Sequence, residues 1–163
     1  MRRLKYGFAL LFALLLIFGF SLTAFAQSAH FIGTPTCTKS LSTGLTCSGK
    51  AAGLGNAPSA AFLTADSETA TYECVNHGGN VAPGQPIVIK GVTGPTQTIT
   101  PHNGQITFSP TIPPPTPPSA KTECPNGNWM VRITSLSYTN VVLHIQQPPG
   151  TDLLTFSFGN IDP

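Results

Sequence analysis

The sequence predicts an all-β protein: antiparallel strands packed as a β-sandwich, with two disulfides and a signal-peptide helix at the start. Three observations predict this class. After residue 26, short runs rich in Thr, Val, Ile and Phe alternate with Gly and Pro, as strands and turns do. The 3.6-residue periodicity of amphipathic helices is almost absent from the same region. The four cysteines, an even number, all lie beyond residue 26, as expected of an exported protein with disulfides.

The N-terminus predicts export from the cell. A basic head precedes an unbroken apolar run at positions 8–20. That run is shorter than the roughly 20 residues needed to span a bilayer, so a stable membrane anchor is not expected. Ala24 and Ala26 supply the small-x-small pattern of a cleavage site. Cleavage between Ala26 and Gln27 is therefore predicted, and the product is expected to be secreted and extracellular.

The predicted organisation is a signal peptide at 1–26 and a single domain at 27–163. Three of the eight Lys and Arg residues belong to the signal peptide, which leaves five against six Asp and Glu. The remaining basic residues are scattered singly. A nucleic-acid partner is not expected, because binding to phosphates requires clustered positive charge.

Local sequence indicates how the cysteines pair. Thr36–Lys39 and Leu45–Lys50 are strand-like, and folding the chain between them places Cys37 opposite Cys47. Opposed residues in an antiparallel pair are close to disulfide reach. Cys74 and Cys124 then form the second bond. Both lie in similar Glu-Cys-x-Asn contexts followed by Gly, which fits the junction of a strand and a loop.

The later segments continue the strand pattern. Residues 87–92 fit a buried strand, and Asn103-Gly104 fits a hairpin turn. Alternating apolar residues predict four inward-facing sets: Ile106 and Phe108; Trp129, Val131 and Ile133; Val141, Leu143 and Ile145, with His144 and Gln146 outside; and Leu154, Phe156 and Phe158.

The segment 109–120 interrupts this pattern with six prolines. Proline lacks the N–H that a sheet ladder uses, so a central strand is excluded there. We expect a proline-rich extended loop, held at its far end by the predicted Cys74–Cys124 bond.

Ionisable residues provide little evidence for catalysis. Cys74 and His77 have metal-ligand spacing, but a zinc site needs two further ligands, so neither a metal nor a cofactor is expected. The four histidines are isolated in sequence, and no nucleophile or nucleotide-binding motif is present. Glu73 and Glu123 would approach one another only because of the neighbouring disulfide. The chain is therefore not expected to be an enzyme.

The stretches TPTCTKSLSTGLTCSGKAAGLG, ATYECVNHGGN and GQITFSPTIPPPTPPSAKTECPNGNW cover much of the predicted domain. In these stretches the chain resembles a group of short secreted bacterial proteins with no settled activity. The resemblance implies no catalytic residues. It is similar to immunoglobulin-like sandwiches in architecture alone, because Trp129 follows both Cys74 and Cys124 instead of lying between them.

The expected role is extracellular binding or a structural component, with a cell wall, a glycan or a protein surface as partner. Two alternatives belong to other classes. One is a small secreted hydrolase, which requires a histidine hydrogen-bonded to both a serine and a carboxylate. His77 and His102 are the first candidates for that histidine. The other is an inhibitor of extracellular proteases that inserts the Cys74 loop or the proline-rich loop.

Amino-terminal sequencing tests the predicted export signal. Protein recovered from the culture medium is expected to begin at Gln27, because the peptidase recognises the small residues at Ala24 and Ala26. An intact amino terminus, or retention of the protein in the membrane fraction, would contradict the prediction.

Overall fold

A computed structural model describes residues 28–162, and it confirms the predicted all-β sandwich with two disulfides. The predicted signal peptide, including Ala24, Ala26 and Gln27, lies outside the described residues. Within residues 28–162, no helix has the length and apolar character needed to cross a membrane.

Between residues 28 and 162, ten strands and one short helix follow one another. They are β1 (His30–Ser40), β2 (Gly44–Ala52), β3 (Ser59–Val75), β4 (Val81–Pro83), β5 (Ile87–Thr93), β6 (Gln97–Ile99), β7 (Ile106–Phe108), β8 (Thr111–Ile112), α1 (Ala120–Glu123), β9 (Met130–Gln146) and β10 (Asp152–Ile161).

The smaller sheet is organised by β2, which pairs with β1 on one side and with β7 and β8 on the other. The predicted register of the first hairpin is confirmed, since Cys37 faces Cys47 and Thr38 faces Thr46. The Cys37–Cys47 disulfide joins the opposed pair.

The larger sheet is organised by β3 and β9, which are both 17 residues long and pair antiparallel along their length. Strand β10 pairs with the other side of β9. The free side of β3 is covered in turn by β6, β5 and β4. Every strand of this sheet except β10 therefore hydrogen-bonds directly to β3.

A line of polar residues crosses the larger sheet at the point where both long strands shift by one residue which positions face the core. On β3, Asp66 and Ser67 separate the inward set that ends at Ala65 from the next inward residue, Glu68. Asn140 takes a positive φ of 50° at the matching point of β9, and its side-chain amide donates to Asp66 Oδ2 at 2.6 Å. We call this line the crease. Local irregularities of this kind change the direction in which side chains point. Because the inward-facing positions shift at the same place on both long strands, their apolar side chains continue to face the core.

The core lies between the two sheets. Its largest buried side chains come from both layers and include Leu45, Phe108 and Ile112 from the smaller sheet, and Leu63, Leu136, Tyr138, Leu143 and Ile145 from the larger. Lys39 on β1 links the layers, because its ammonium donates to the backbone carbonyl of Leu136 at 2.7 Å and also to that of Asp162.

The second disulfide attaches the proline-rich segment to the end of β3. Cys74 is bonded to Cys124, 50 residues later, as predicted. The Tyr72 hydroxyl donates to Glu123 Oε2 at 3.3 Å from the same side of β3. The bond thus holds helix α1 against a part of β3 that lies beyond the end of the smaller sheet.

Four details of the sequence interpretation require correction. Residues 87–92 form a strand, but it is an edge strand with Val88 55% exposed, because nothing pairs with its outer side. The two segments predicted around Ile133 and Leu143 are one continuous strand, β9. Trp129 precedes that strand and is not part of its inward set. Cys124 follows a helix, not a strand.

Two further predictions were right in part. Asn103-Gly104 forms the expected turn, with positive φ at both residues, but its two arms join different sheets: β6 pairs with β3 and β7 with β2. The loop 109–120 is largely irregular, yet Thr111–Ile112 forms the short strand β8, and Ile112 is buried.

One ionisable pair is buried in this core. Glu68 is 2% exposed and lies directly across from Tyr138, which is 1% exposed. The two groups are near enough to influence each other, but neither Glu68 Oε1 nor the Tyr138 hydroxyl has a hydrogen-bond partner among the described residues. Burial raises the pKa of the Glu68 carboxyl, and the Tyr138 hydroxyl offsets part of that rise. Burial, followed by the charge of Glu68, raises the pKa of Tyr138.

Removal of the long disulfide is expected to cost more stability than removal of the short one. By the chain-entropy relation, the Cys74→Ala/Cys124→Ala protein should lose about 4 kcal/mol and the Cys37→Ala/Cys47→Ala protein about 3 kcal/mol. Urea unfolding of both variants against the parent protein measures the difference. A larger loss from the short bond would contradict this expectation.

The Glu68→Gln substitution is expected to remove a pH dependence of stability. Because the folded-state pKa of Glu68 is raised, the fold binds this proton more tightly than the unfolded chain does. The stabilisation that protonated Glu68 contributes is therefore complete below its ordinary pKa of 4.5, and it is lost as pH rises through the folded-state pKa. The stability of the variant relative to the parent should increase from pH 4 to pH 8 in urea unfolding. Parallel profiles would show that Glu68 keeps an ordinary pKa.

Candidate functional site

The outer face of the larger sheet is covered with small hydroxyl side chains. Alternation along the paired strands places them on the side away from the core. We call this surface the hydroxyl face, and its members are Thr64, Ser67, Thr69 and Thr71 on β3; Ser135, Ser137 and Thr139 on β9; and Thr155 and Ser157 on β10. These strands turn their opposite side towards the core, so the backbone hydrogen bonds of the sheet hold the hydroxyl face in place.

Some of these hydroxyls are paired with one another across strands. Ser67 and Thr139 approach to 2.7 Å, and Thr71 lies 2.5 Å from Ser135. Thr69 and Ser137 are opposed in the register, yet neither hydroxyl has a protein hydrogen bond within the described part of the chain. This central pair therefore keeps its donors and acceptors for solvent or a ligand.

A three-residue hydrogen-bond chain lies at one end of the hydroxyl face. His144 Nε2 is 3.0 Å from the Thr64 hydroxyl, and His144 Nδ1 is 2.8 Å from Asp152 Oδ2. The residues come from β3, β9 and the start of β10, so the chain crosses all three strands. It is the arrangement in which a histidine contacts both a hydroxyl and a carboxylate.

Neighbouring side chains fix the geometry of this chain. The Phe62 ring stacks on the His144 ring, with centroids 4.8 Å apart and planes 6° from parallel. The Gln146 amide donates to Asp152 Oδ1 at 3.0 Å. Hydrogen bonds from Gln146 first, and from His144 second, lower the pKa of Asp152. The carboxylate is therefore held in its charged form, which favours an Nδ1–H on His144 directed at it.

The opposite end of the hydroxyl face has a different character. Glu73 and Arg132 form an ion pair there, with Arg132 Nε donating to Glu73 Oε1 at 2.8 Å. In the next row Val75 is flanked by Met130 and Val81, which are 58% and 55% exposed. The hydroxyl rows therefore lie between a histidine–aspartate end and an ion-paired, partly apolar end, and the exposed Lys90 of β5 flanks them opposite Ser67.

The structure separates the other residues that the sequence suggested as functional. Glu73 bonds Arg132 on the outer face, while Glu123 accepts from Tyr72 on the inner face, so the nearby disulfide does not make a carboxylate pair. His77 and His102 are exposed in turns, and the His30 ring lies 2.7 Å from the Ser28 carbonyl oxygen. The prediction that all four histidines are isolated is wrong for His144.

The loop after Cys74 is a compact turn. Asn76 Oδ1 accepts from the backbone N–H groups of Gly78 and Asn80, both at 2.9 Å. Within residues 28–162, no three His, Cys, Asp or Glu side chains come together as metal ligands.

Sequence reasoning missed the partners of His144 because it missed the first half of β3. The segment from Ser59 to Glu68 contains three consecutive small residues and two acids, which give a weak strand signal. The alternation of Phe62, Thr64 and Asp66 with Ala61, Leu63 and Ala65 was the signal that could have found it.

Comparisons with known proteins identify no relatives. No family model matches the chain, and no curated protein or solved structure is significantly similar to it.

Proposed function

We propose that this protein is an extracellular binding protein whose hydroxyl face docks on a neutral polysaccharide surface, such as that of a cell wall. The observation that carries the proposal is the central pair, Thr69 and Ser137, whose hydroxyls have no protein partner within residues 28–162 and lie on a face built by two 17-residue strands. A neutral glycan offers the same donor and acceptor groups in repeating order.

The physical properties of the face support this assignment. Its hydroxyl side chains are short, so little rotamer entropy is lost when a partner orders them. The ladder beneath the face preorganises it, which lowers the cost of binding. Its central rows carry few charges, so a strongly charged partner would find little complementarity there.

The oxidising environment implied by the two disulfides agrees with action outside the cell. The predicted signal peptide supports the same location. The proposal therefore combines an extracellular site of action with a neutral hydrogen-bonding surface.

Co-sedimentation with insoluble cell-wall and polysaccharide preparations tests the proposal. The Thr69→Val/Ser137→Ala protein should bind about five- to 150-fold more weakly than the parent, because two hydrogen bonds are lost and each contributes about 0.5–1.5 kcal/mol. Thr38→Val/Thr46→Val removes an equivalent cross-strand pair from the smaller sheet and serves as the matched control. Absence of binding to every preparation, or equal weakening by the control, would refute the role of this face.

A second candidate function, a small hydrolase, is favoured by the chain of Thr64, His144 and Asp152. These contacts follow the nucleophile, base and acid order of hydrolytic triads. Acyl transfer also needs donors for the developing oxyanion. Thr64 pairs with β9 on one side and β5 on the other, so the nearby backbone N–H groups are engaged in the ladders. Binding is therefore the better-supported function.

Ester hydrolysis distinguishes the two candidates. We expect Thr64→Val and His144→Asn to leave p-nitrophenyl acetate turnover at the background rate of the parent, because oxyanion donors are not in place. His77→Asn changes an exposed histidine in a loop and is the matched control. Saturable turnover that falls by about 100-fold or more in the first two variants alone would support the hydrolase instead.

A further inference from the structure

A groove lies where the chain passes from the larger sheet to the smaller one. It has a volume of about 290 Å³ and is bounded by β6, the turn at Asn103-Gly104, β7 and the end of β2. Its polar lining comprises Lys50, Thr100, His102, Gln105 and Thr107, and we call it the β6–β7 groove. It shares no residue with the hydroxyl face.

The polar side chains of this groove have no hydrogen-bond partner among residues 28–162. In the part of the chain that the structure describes, no hydrogen bond engages the side chains of these five residues. Two backbone hydrogen bonds between His102 and Gln105, of 2.9 and 3.0 Å, hold the turn that carries two of them. Lys50 lies directly opposite Thr107 in the β2–β7 register, which places the two side chains on the same face of the smaller sheet.

The charge of the groove is positive and uncompensated by its lining. Lys50 is cationic, His102 offers ring nitrogens for hydrogen bonding, and none of the lining residues is acidic. The acids of the described chain take part in other contacts or lie on other elements, as with Glu73 beside Arg132 and Asp152 beside His144. An anionic ligand group would thus gain charge-assisted hydrogen bonds without displacing an internal partner.

An isoleucine makes the groove more than a charged surface. Ile99 and Ile106 line it; Ile106 is 3% exposed and packs in the core, so the half-buried Ile99 supplies the apolar surface that a ligand can reach. A ligand that combines a carboxylate with a carbon framework matches this lining better than a bare inorganic ion does. The volume lies just below the range of about 300–1,000 Å³ for drug-sized ligands, which indicates a group of roughly one sugar ring.

We propose that the β6–β7 groove binds a small organic carboxylate, of the class represented by a uronic acid. Lys50 and His102 contact the carboxylate, while Thr100, Gln105 and Thr107 hydrogen-bond to the hydroxyls. This site recognises a charged residue, whereas the hydroxyl face recognises a neutral surface, so each can fail without the other.

Nitrogen-15 NMR titration of the purified protein with sodium glucuronate tests the site. Saturable shifts are expected at the amides of Lys50, Ile99, Thr100 and residues 102–107. Glucose, which lacks the carboxylate, should produce little change, and inorganic phosphate should bind more weakly than glucuronate because it leaves Ile99 uncovered.

Variants connect the shifts to the proposed contacts. Lys50→Gln should weaken glucuronate binding about ten-fold, since a charge-assisted hydrogen bond is lost, and His102→Gln is the second test of the proposed carboxylate contacts. Lys90→Gln removes one positive charge from the exposed strand β5 and should leave the affinity unchanged.

Three outcomes would overturn the proposal. The first is the absence of shifts around the groove with glucuronate. The second is equal binding of glucose or of phosphate, which would exclude the organic carboxylate as the preferred ligand. The third is equal weakening of glucuronate binding by Lys90→Gln and Lys50→Gln, which would show that the loss of affinity arises from the change in net charge alone. Because Lys50 and Lys90 are both exposed, the amide spectra should show each variant folded.

Discussion

The pairing of β3 with β9 is the constraint on which the rest of the structure depends. From Ala60 opposite Gln146 to Val75 opposite Met130, one ladder runs the length of both strands. The strands β4, β5 and β6 have only three to seven residues each, and each obtains its place by pairing with β3. The smaller sheet covers one part of this ladder, and the segment tied by Cys74–Cys124 covers another. Loss of the ladder would remove the common support of both.

The same ladder produces the surfaces proposed to be functional. A strand has two faces, so a continuous apolar inner face on β3 and β9 requires a continuous outer face of equal length. The crease at Asp66 and Asn140, together with a second register shift between Thr71 and Tyr72, lets both strands keep their apolar side inward over 17 residues. Without that shared change of phase, half of the hydroxyl row would point into the core. The hydroxyl face is therefore a consequence of how the core is maintained through the bend.

Much of the architecture was predictable because its determinants are local. The opposition of Cys37 and Cys47 follows from a short hairpin, and the inward set at Val141, Leu143 and Ile145 follows from alternation. The exposed position of β5 was not predictable, since Val88 and Ile89 belong to a run of apolar residues that is typical of a core strand. Whether a strand lies at an edge depends on what pairs with it, and that partner is absent from its local sequence.

The sequence by itself determined the class of the fold, the two disulfides and the segments able to form strands, because alternation, turn residues and cysteine spacing act over a few residues. Only the tertiary structure decided which side chains meet. Thr64 and His144 are 80 positions apart and become hydrogen-bonded through the β3–β9 register. Lys50 and His102 come to line one groove because the turn at Asn103-Gly104 passes between sheets. Contacts of this kind arise from the pairing of distant strands, and no local pattern encodes their register.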